Sequence, residues 1–261
     1  MRLRSLLLAA ALVLTLAACA PPEAENTPAP TPSQPPEETA APELVWTDQI
    51  FDRVFTAEDG TEVMSVEYRF PGIENAGRVA AWQKIQDYYA AEGAAYVSDA
   101  AELAGYAAGD YEVARALGED FLPYGESMSY RISLQTEALV SIVRSYYANS
   151  VTGAAHPSNF QFSETFDLST GEMLTLGACF TDPDAGRERV LDLLAQRGSD
   201  AGYSRQALEE QLNDDYFYLT GEGMVIYYQP DTLAPYAAGL LEFTLPYAEL
   251  GELLAIDPIS S

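Results

Sequence analysis

The sequence predicts an α+β fold in which antiparallel strands and helices are interspersed, preceded by a signal peptide and a disordered linker. Helical spacing of apolar residues from Val79 to Tyr89 is the first sign of this class. The second is a period of two that begins near Ser127, where apolar and polar side chains alternate. The third is a set of glycine-centred turns between short apolar runs, a pattern typical of hairpins.

The first residues, MRLRSLLLAAALVLTLAAC, have the composition of an export signal. Arg2 and Arg4 precede an apolar run of about 13 residues, which is shorter than the roughly 20 residues of a permanent membrane helix. The run ends in LAAC, which resembles a bacterial lipobox. We therefore predict a lipoprotein signal peptide at residues 1–18 and a lipid on Cys19 that holds the chain on the membrane. The alternative is an ordinary signal peptide that happens to contain a cysteine.

A proline-rich segment follows at residues 19–43. It contains half of the sixteen prolines and almost no large apolar side chain, so we expect a disordered, extended tether. The folded part then begins near Leu44. We expect it to comprise an N-terminal α+β subdomain at residues 44–126 and a C-terminal α+β domain at residues 127–261.

The elements of the N-terminal part follow from its hydrophobic periods. The segment TEVMSVEYRFP alternates well enough to predict a strand. Apolar residues at helical spacing predict a helix over Gly77–Glu92. A second helix is predicted over Asp99–Leu117, interrupted by Gly105 and Gly109.

The C-terminal part is predicted to be richer in strands. Alternation indicates strand structure from Ser127 to Ile142 and again over Phe160–Leu168, and Gly171 suits the positive φ of the turn that follows. The remaining predicted elements are helices at Arg187–Arg197 and Arg205–Asn213, a hairpin turning around Gly221–Gly223, a strand at Leu241–Leu245 and a short helix after Pro246.

The chain is strongly acidic, with a formal net charge of -27, and loss of Arg2 and Arg4 with the signal peptide changes -27 to -29. Nucleic acid is disfavoured as a partner because a phosphate-binding surface needs a basic patch. Electrostatic adsorption to anionic lipid is disfavoured for the same reason. A cationic partner is favoured, although acidity also serves the solubility of an exported protein.

Groups suited to catalysis are scarce. The chain has one histidine, which excludes a two-histidine metal centre, and it has no CxxC pair, G-x-S-x-G motif or glycine-rich phosphate loop. We therefore predict no catalytic residue, no metal and no cofactor. The forty acidic residues leave a carboxylate-dependent hydrolase open on composition alone. The segment that starts at Asp182 resembles a calcium loop but lacks its third ligand, so we interpret it as a helix entry.

His156, the single histidine, follows a turn in GAAHPSN and precedes Pro157. A histidine in such a place can donate from one ring nitrogen and accept at the other, which would hold two loop backbones together. With no metal partner or nucleophile beside it in the sequence, a structural or interface role is favoured over catalysis. Cys179 lies between apolar neighbours, and we expect a buried, unreactive thiol.

Three segments carry a resemblance to a known family: YYANSVTGAAHP, ETFDLSTGEMLTLGACF and FYLTGEGMVIYYQPDTLAPYAAGLLEFTLPYAEL. They resemble the exported domain of RsiV-type anti-sigma factors, which also precedes PdaC-type peptidoglycan deacetylases and occurs in stand-alone lipoproteins. The resemblance covers roughly residues 127–250, and residues 62–130 look like the N-terminal partner of the same pair. It implies a domain that binds lysozyme through its loops.

Within residues 1–261 we identify neither the cytoplasmic segment and spanning helix of an anti-sigma factor nor the histidine-rich catalytic domain of a deacetylase. We therefore expect a non-enzymatic, lipid-anchored extracytoplasmic binding protein of the bacterial envelope. The candidate binding loops contain His156 with Pro157, and Pro235 with Tyr236. The expected partner is a lysozyme-like muramidase. The alternatives are peptidoglycan or another wall polymer and, third, a carboxylate-dependent wall hydrolase.

Overall fold

The computed structural model describes residues 42–149 and 156–259. The signal peptide, Cys19 and nearly all of the linker lie outside the described residues. The strands are β1 (Trp46–Thr56), β2 (Glu62–Ile73), β3 (Tyr124–Gln135), β4 (Leu139–Asn149), β5 (Ser158–Asp167), β6 (Phe217–Leu219), β7 (Gly223–Tyr228) and β8 (Leu241–Pro246). The α-helices are α1 (Ala80–Leu117), α2 (Pro183–Gly198), α3 (Arg205–Gln211) and α4 (Tyr247–Leu250). The predicted α+β class is confirmed.

The larger sheet contains five strands in the order β1-β2-β3-β4-β5. Its neighbours are antiparallel except β2 and β3, which run parallel. Helix α1 connects these two strands, as a parallel pair requires a crossover rather than a hairpin. Strand β3 runs through the predicted boundary between residues 126 and 127, and the sheet takes strands from both sides of it.

Helix α1 covers one face of the larger sheet. Its side chains Trp82, Ile85 and Tyr89 are buried in a core shared with Tyr68 and Phe70 of β2. The helix is continuous over 38 residues, so the prediction of two helices separated near residues 93–98 is wrong. Its end is marked by a glycine in the left-handed conformation at residue 118, a common helix stop.

The smaller sheet, in the order β6-β7-β8, packs on the opposite face of the larger one. Val143 of β4 is buried there against Tyr218 and Tyr227. The backbone N–H of Leu219 donates to the Ser141 hydroxyl at 2.9 Å. Polar contacts as well as apolar ones therefore join the two sheets.

Helices α2 and α3 cover the outer face of the smaller sheet. Val190 and Leu194 of α2 and Leu208 of α3 share a core with Met224 and Ile226 of β7. The resulting order of layers is helix, five-stranded sheet, three-stranded sheet, helices.

Local predictions in this part of the chain are confirmed. The hairpin around Gly221–Gly223 joins β6 to β7. Gly171 has a φ of 70° in the turn after β5. Asp182 caps α2, because its carboxylate accepts from the backbone N–H groups of Asp184 and Ala185.

Candidate ligand-binding site

The imidazole of His156 lies flat on the ring of Tyr236, with ring centroids 3.5 Å apart and planes 11° apart. Tyr236 opens a 3-10 turn directly after Pro235, whose backbone is extended with φ −56° and ψ 152°. His156 stands two residues before β5. The stack therefore joins a segment at the edge of the larger sheet to the β7–β8 connection.

Hydrogen bonds fix the position of the Tyr236 hydroxyl. It donates to the backbone carbonyl of Pro157 at 2.7 Å and accepts from the side-chain amide of Asn159 at 2.5 Å. His156 also places its Nδ1 atom 3.2 Å from the Pro157 carbonyl. The phenol ring is thus held by one stacked ring and two hydrogen bonds.

The four residues predicted to line binding loops come together at the surface. His156, Pro157 and Pro235 are exposed, and Tyr236 is half-buried. We call these four residues the aromatic rim. The sequence indicated both loops, but no feature of it predicted that the rings of His156 and Tyr236 stack on each other. The role of the rim in binding stays a prediction.

A cavity of about 500 Å³ opens beside the aromatic rim, between strands β4 and β5 and the connection from β7 to β8. Its lining residues are Ser145, Tyr146, Asn159, Phe160, Gln161, Pro230, Tyr236, Ala237, Ala238, Gly239 and Leu240. Its size falls within the range of about 300–1,000 Å³ that is usual for small-ligand sites. We call it the first cavity.

The first cavity is uncharged. None of the described residues that line it is acidic or basic, although the chain contains forty acidic residues. Ser145 and Gln161 are paired in register across β4 and β5, so their side chains share the face that points towards the smaller sheet. Gln161 donates through its Nε2 atom to the Glu242 carboxylate at 3.1 Å. Hydroxyl and amide groups therefore supply the polarity of this cavity.

A second cavity, of about 830 Å³, adjoins the first. Phe160 and Pro230 line both, so they form the boundary between the two spaces. The second cavity is charged: it includes Glu210 and the ion pair of Arg187 with Asp214, whose closest atoms are 2.5 Å apart. The two neighbouring cavities therefore differ in charge.

Helix α1 and the larger sheet enclose a buried ion pair. Arg144 donates to both oxygens of Glu164, and its Nη2 atom lies 3.3 Å from the carboxylate of the half-buried Glu92. Burial, the largest single influence, would lower the pKa of Arg144, but the charge of Glu164 and its hydrogen bonds, with smaller contributions from Tyr89 and Tyr88, together outweigh burial, so the pKa lies above its ordinary value. The Glu164 carboxylate also accepts from the Tyr89 hydroxyl at 3.1 Å. This cluster belongs to the core.

The groups that catalysis would need lie apart. Cys179 is buried in the core between α2 and the smaller sheet, where burial raises the pKa of its thiol to about 12. His156 is exposed at the aromatic rim, where its ring contacts Tyr236 and Pro157. Within residues 42–149 and 156–259, no group of three histidine, cysteine or acidic side chains is arranged to hold a metal ion.

Several cavity residues were not predicted from the sequence. Ser145, Asn159 and Gln161 are small or polar side chains in strands, and such residues are common on any exposed strand face. Only the register of β4 with β5, and the position of the 230–240 connection above them, brings them together. The nearest residue that the sequence did single out is His156, three residues before Asn159.

None of the helices in the described part of the chain combines the length and hydropathy of a membrane span.

Two solved structures share the fold over most of their length. A DUF3298-family member from Bacteroides fragilis aligns with a TM-score of 0.62 at 18% identity, covering 83% of this chain and 95% of its own. A DUF3298-family protein from Pseudomonas aeruginosa aligns with a TM-score of 0.53 at 14% identity, covering 84% and 97% respectively. A search among curated proteins finds no match. Within the sequence, residues 191–248 match the DUF3298 family, described as a protein of unknown function.

Proposed function

We propose that the chain is a lipid-anchored extracytoplasmic binding protein, rather than an enzyme, and that its ligand contacts the aromatic rim. The observation that carries this proposal is the stacking of the exposed His156 ring on the half-buried Tyr236 ring, which joins the two loops identified from the sequence. Aromatic side chains at protein surfaces supply large contact areas with few rotatable bonds. A ring already held in place loses little further freedom when a partner binds.

The partner that we propose is a lysozyme-like muramidase. The acidity of the chain supports a cationic protein, since complementary charge accelerates association and disfavours acidic competitors. The resemblance to RsiV-type exported domains, whose partner is lysozyme, supports the same choice, and the match to DUF3298 is compatible with that resemblance.

The location that we propose rests on the N-terminal sequence. A lipid on Cys19 would anchor the chain, and the proline-rich segment at residues 19–43 would separate the folded part from the membrane. The acidic folded part would not adsorb to anionic lipid by itself. In this arrangement the protein would meet a muramidase outside the cytoplasmic membrane.

Capture of lysozyme on the immobilised full chain tests the proposal. We expect binding at about 20 mM salt, weakened but retained at about 150 mM because screening reduces long-range attraction. Tyr236→Ala is the informative variant, and Tyr106→Ala, an exposed tyrosine on α1, is the matched control. Absence of binding at both salt concentrations would reject lysozyme as the partner.

The alternatives are separate outcomes of a parallel experiment with purified peptidoglycan sacculi. Co-sedimentation that is insensitive to salt, without lysozyme capture, would replace the muramidase with a wall polymer. Release of soluble wall fragments, lost when one pair of carboxylates is substituted, would instead identify a hydrolase.

A further inference from the structure

We propose that the first cavity is a binding site for an uncharged saccharide. This inference rests on the proposed binding role of the protein but not on the identity of its protein partner. It concerns the space beside the aromatic rim, which a partner docked on the exposed His156 would not need to enter.

The absence of charge narrows the ligand class. The eleven described lining residues include no side chain that could neutralise a carboxylate, a phosphate or an ammonium group. A charged ligand would therefore lose its hydration without gaining an ion pair, which is costly. An uncharged ligand avoids this cost.

The polar lining suits hydroxyl and amide groups. Asn159 and Gln161 use their amide nitrogens to bond Tyr236 and Glu242, and those bonds leave the side-chain carbonyl oxygens to accept from a ligand. The hydroxyl of Ser145 can both donate and accept. Sugar hydroxyls also both donate and accept, so they can meet each of these groups.

The lining residues of the β7–β8 connection suit the apolar face of a sugar ring. Pro230, Ala237, Ala238 and Leu240 supply apolar surface, and the ring of Tyr236 is held by its stack and its hydrogen bonds. A pyranose has hydroxyls around its rim and C–H groups on its faces, so it needs a site with these two kinds of wall. Preorganised groups reduce the entropy that binding costs.

The adjoining second cavity favours a saccharide chain over a single sugar. Phe160 and Pro230 line both cavities, so a linear ligand that leaves the first cavity beside these residues would meet the second. The two cavities, of about 500 and 830 Å³, together exceed what one pyranose would fill.

Titration of the isotope-labelled full chain with triacetylchitotriose, followed by NMR, tests this inference. We expect binding at millimolar concentrations, with shifts of the side-chain amide signals of Asn159 and Gln161. Ala238→Trp, an exposed lining position, should fill the cavity and weaken binding at least about tenfold. Ala101→Trp, an exposed position on α1, is the matched control and should bind like the wild type.

No binding at about 10 mM, a limit corresponding to an affinity too weak to be specific, would overturn the inference. Binding that leaves the two amide signals in place, or that survives Ala238→Trp in a folded protein, would overturn it as well. The shifts of the Asn159 and Gln161 amide signals in the wild type test the location of the site even where the variant fails to fold. Lysozyme capture is measured separately, so a chain that binds lysozyme but not chitotriose refutes only this inference.

Discussion

The guanidinium of Arg144 and the carboxylate of Glu164 form an ion pair inside the protein, with side-chain exposures of 3% and 5%. They lie diagonally across β4 and β5, where Arg144 is in register with Phe162 and Glu164 with Ile142, on the side covered by α1. The rings of Phe70, Tyr89 and Phe162 lie within 6 Å of the guanidinium carbon. Among the described residues, the Nη1 atom of Arg144 has no hydrogen-bond partner. Aromatic rings therefore line the surroundings of the buried guanidinium.

Removal of either charge should be strongly destabilising. Arg144→Met leaves Glu164 buried without its cation, and Glu164→Gln leaves Arg144 with only the half-buried Glu92 as an anion, so each should lower the free energy of unfolding by about 3–5 kcal/mol. The double variant should lose less free energy of unfolding than the two single variants lose in sum, because it contains neither of the two buried charges. Urea unfolding followed by circular dichroism measures all three.

Arg115→Ala is the control for this cycle. Arg115 pairs with Asp59 at 3.2 Å, but its side chain is 56% exposed, so its loss should cost no more than about 1 kcal/mol. Equal losses for Arg115→Ala and Arg144→Met would contradict the importance of burial.

Two glycines of α1 should respond oppositely to alanine. A Cβ on Gly93 would overlap the ring of Phe51 on β1, so Gly93→Ala should destabilise the protein by about 1–3 kcal/mol. A Cβ on Gly105 would have no other atom within 4 Å, so Gly105→Ala should stabilise it by about 0.5–1 kcal/mol through helix propensity. Thermal and urea unfolding of both variants provide the comparison. The same sign for the two would show that the contact with Phe51 is unimportant.

Gly93 lies directly after the predicted end of the first helix at Glu92. In the sequence, a glycine followed by a change of pattern indicates an interruption, because glycine weakens helices. In the structure it is the point where the helix approaches β1 closely, and this reason lies in a strand some forty residues away in sequence. Long-range contacts of this kind cannot be obtained from local periodicity.

Elsewhere, too, predictions that depend on local sequence are correct, and features that depend on long-range contacts were missed. The turn at Gly171 and the hairpin at Gly221–Gly223 follow from local backbone chemistry, and both are confirmed. The burial of Arg144 was not predicted, because a charged residue in an alternating strand indicates an exposed face. Its partner Glu164 becomes visible only once β4 is paired with β5.

Asp59 should make stability depend on acid pH. The backbone N–H of Thr61 and the hydroxyl of Tyr111 donate to its carboxylate, and together they lower its pKa from 3.8 to about 2. Because the folded pKa is below the unfolded one, the contribution is present above about pH 4 and is lost as the pH falls towards 2. Asp59→Asn should therefore reduce the loss of stability across this window. Unfolding midpoints between pH 2 and 5 measure the difference.

Asp120→Asn is the control, since Asp120 is exposed and the substitution changes the charge equally. A pH profile of Asp59→Asn that coincides with that of the wild type would reject the assignment.

The thiol of Cys179 should be unreactive in the folded protein. It is fully buried, and burial raises its pKa to about 12, so very little thiolate forms at neutral pH. Iodoacetamide should label it only in denaturant, and the labelling rate should follow the fraction unfolded. A Cys19→Ser background leaves Cys179 as the single cysteine for this measurement. Rapid labelling of the native state would show access to the core between α2 and the smaller sheet.

The Tyr236 ring and its hydroxyl should contribute differently to lysozyme capture. Tyr236→Ala removes the stacking surface for His156, and we expect an affinity at least about tenfold lower, a loss of about 1.4 kcal/mol. Tyr236→Phe keeps the ring but removes the hydrogen bonds to Pro157 and Asn159, so its effect should be smaller and should reflect a less firmly held ring. Biolayer interferometry gives the affinities. Since the rim is at the surface, unfolding midpoints should change little, and an affinity of Tyr236→Ala equal to that of wild type would remove the rim from the binding surface.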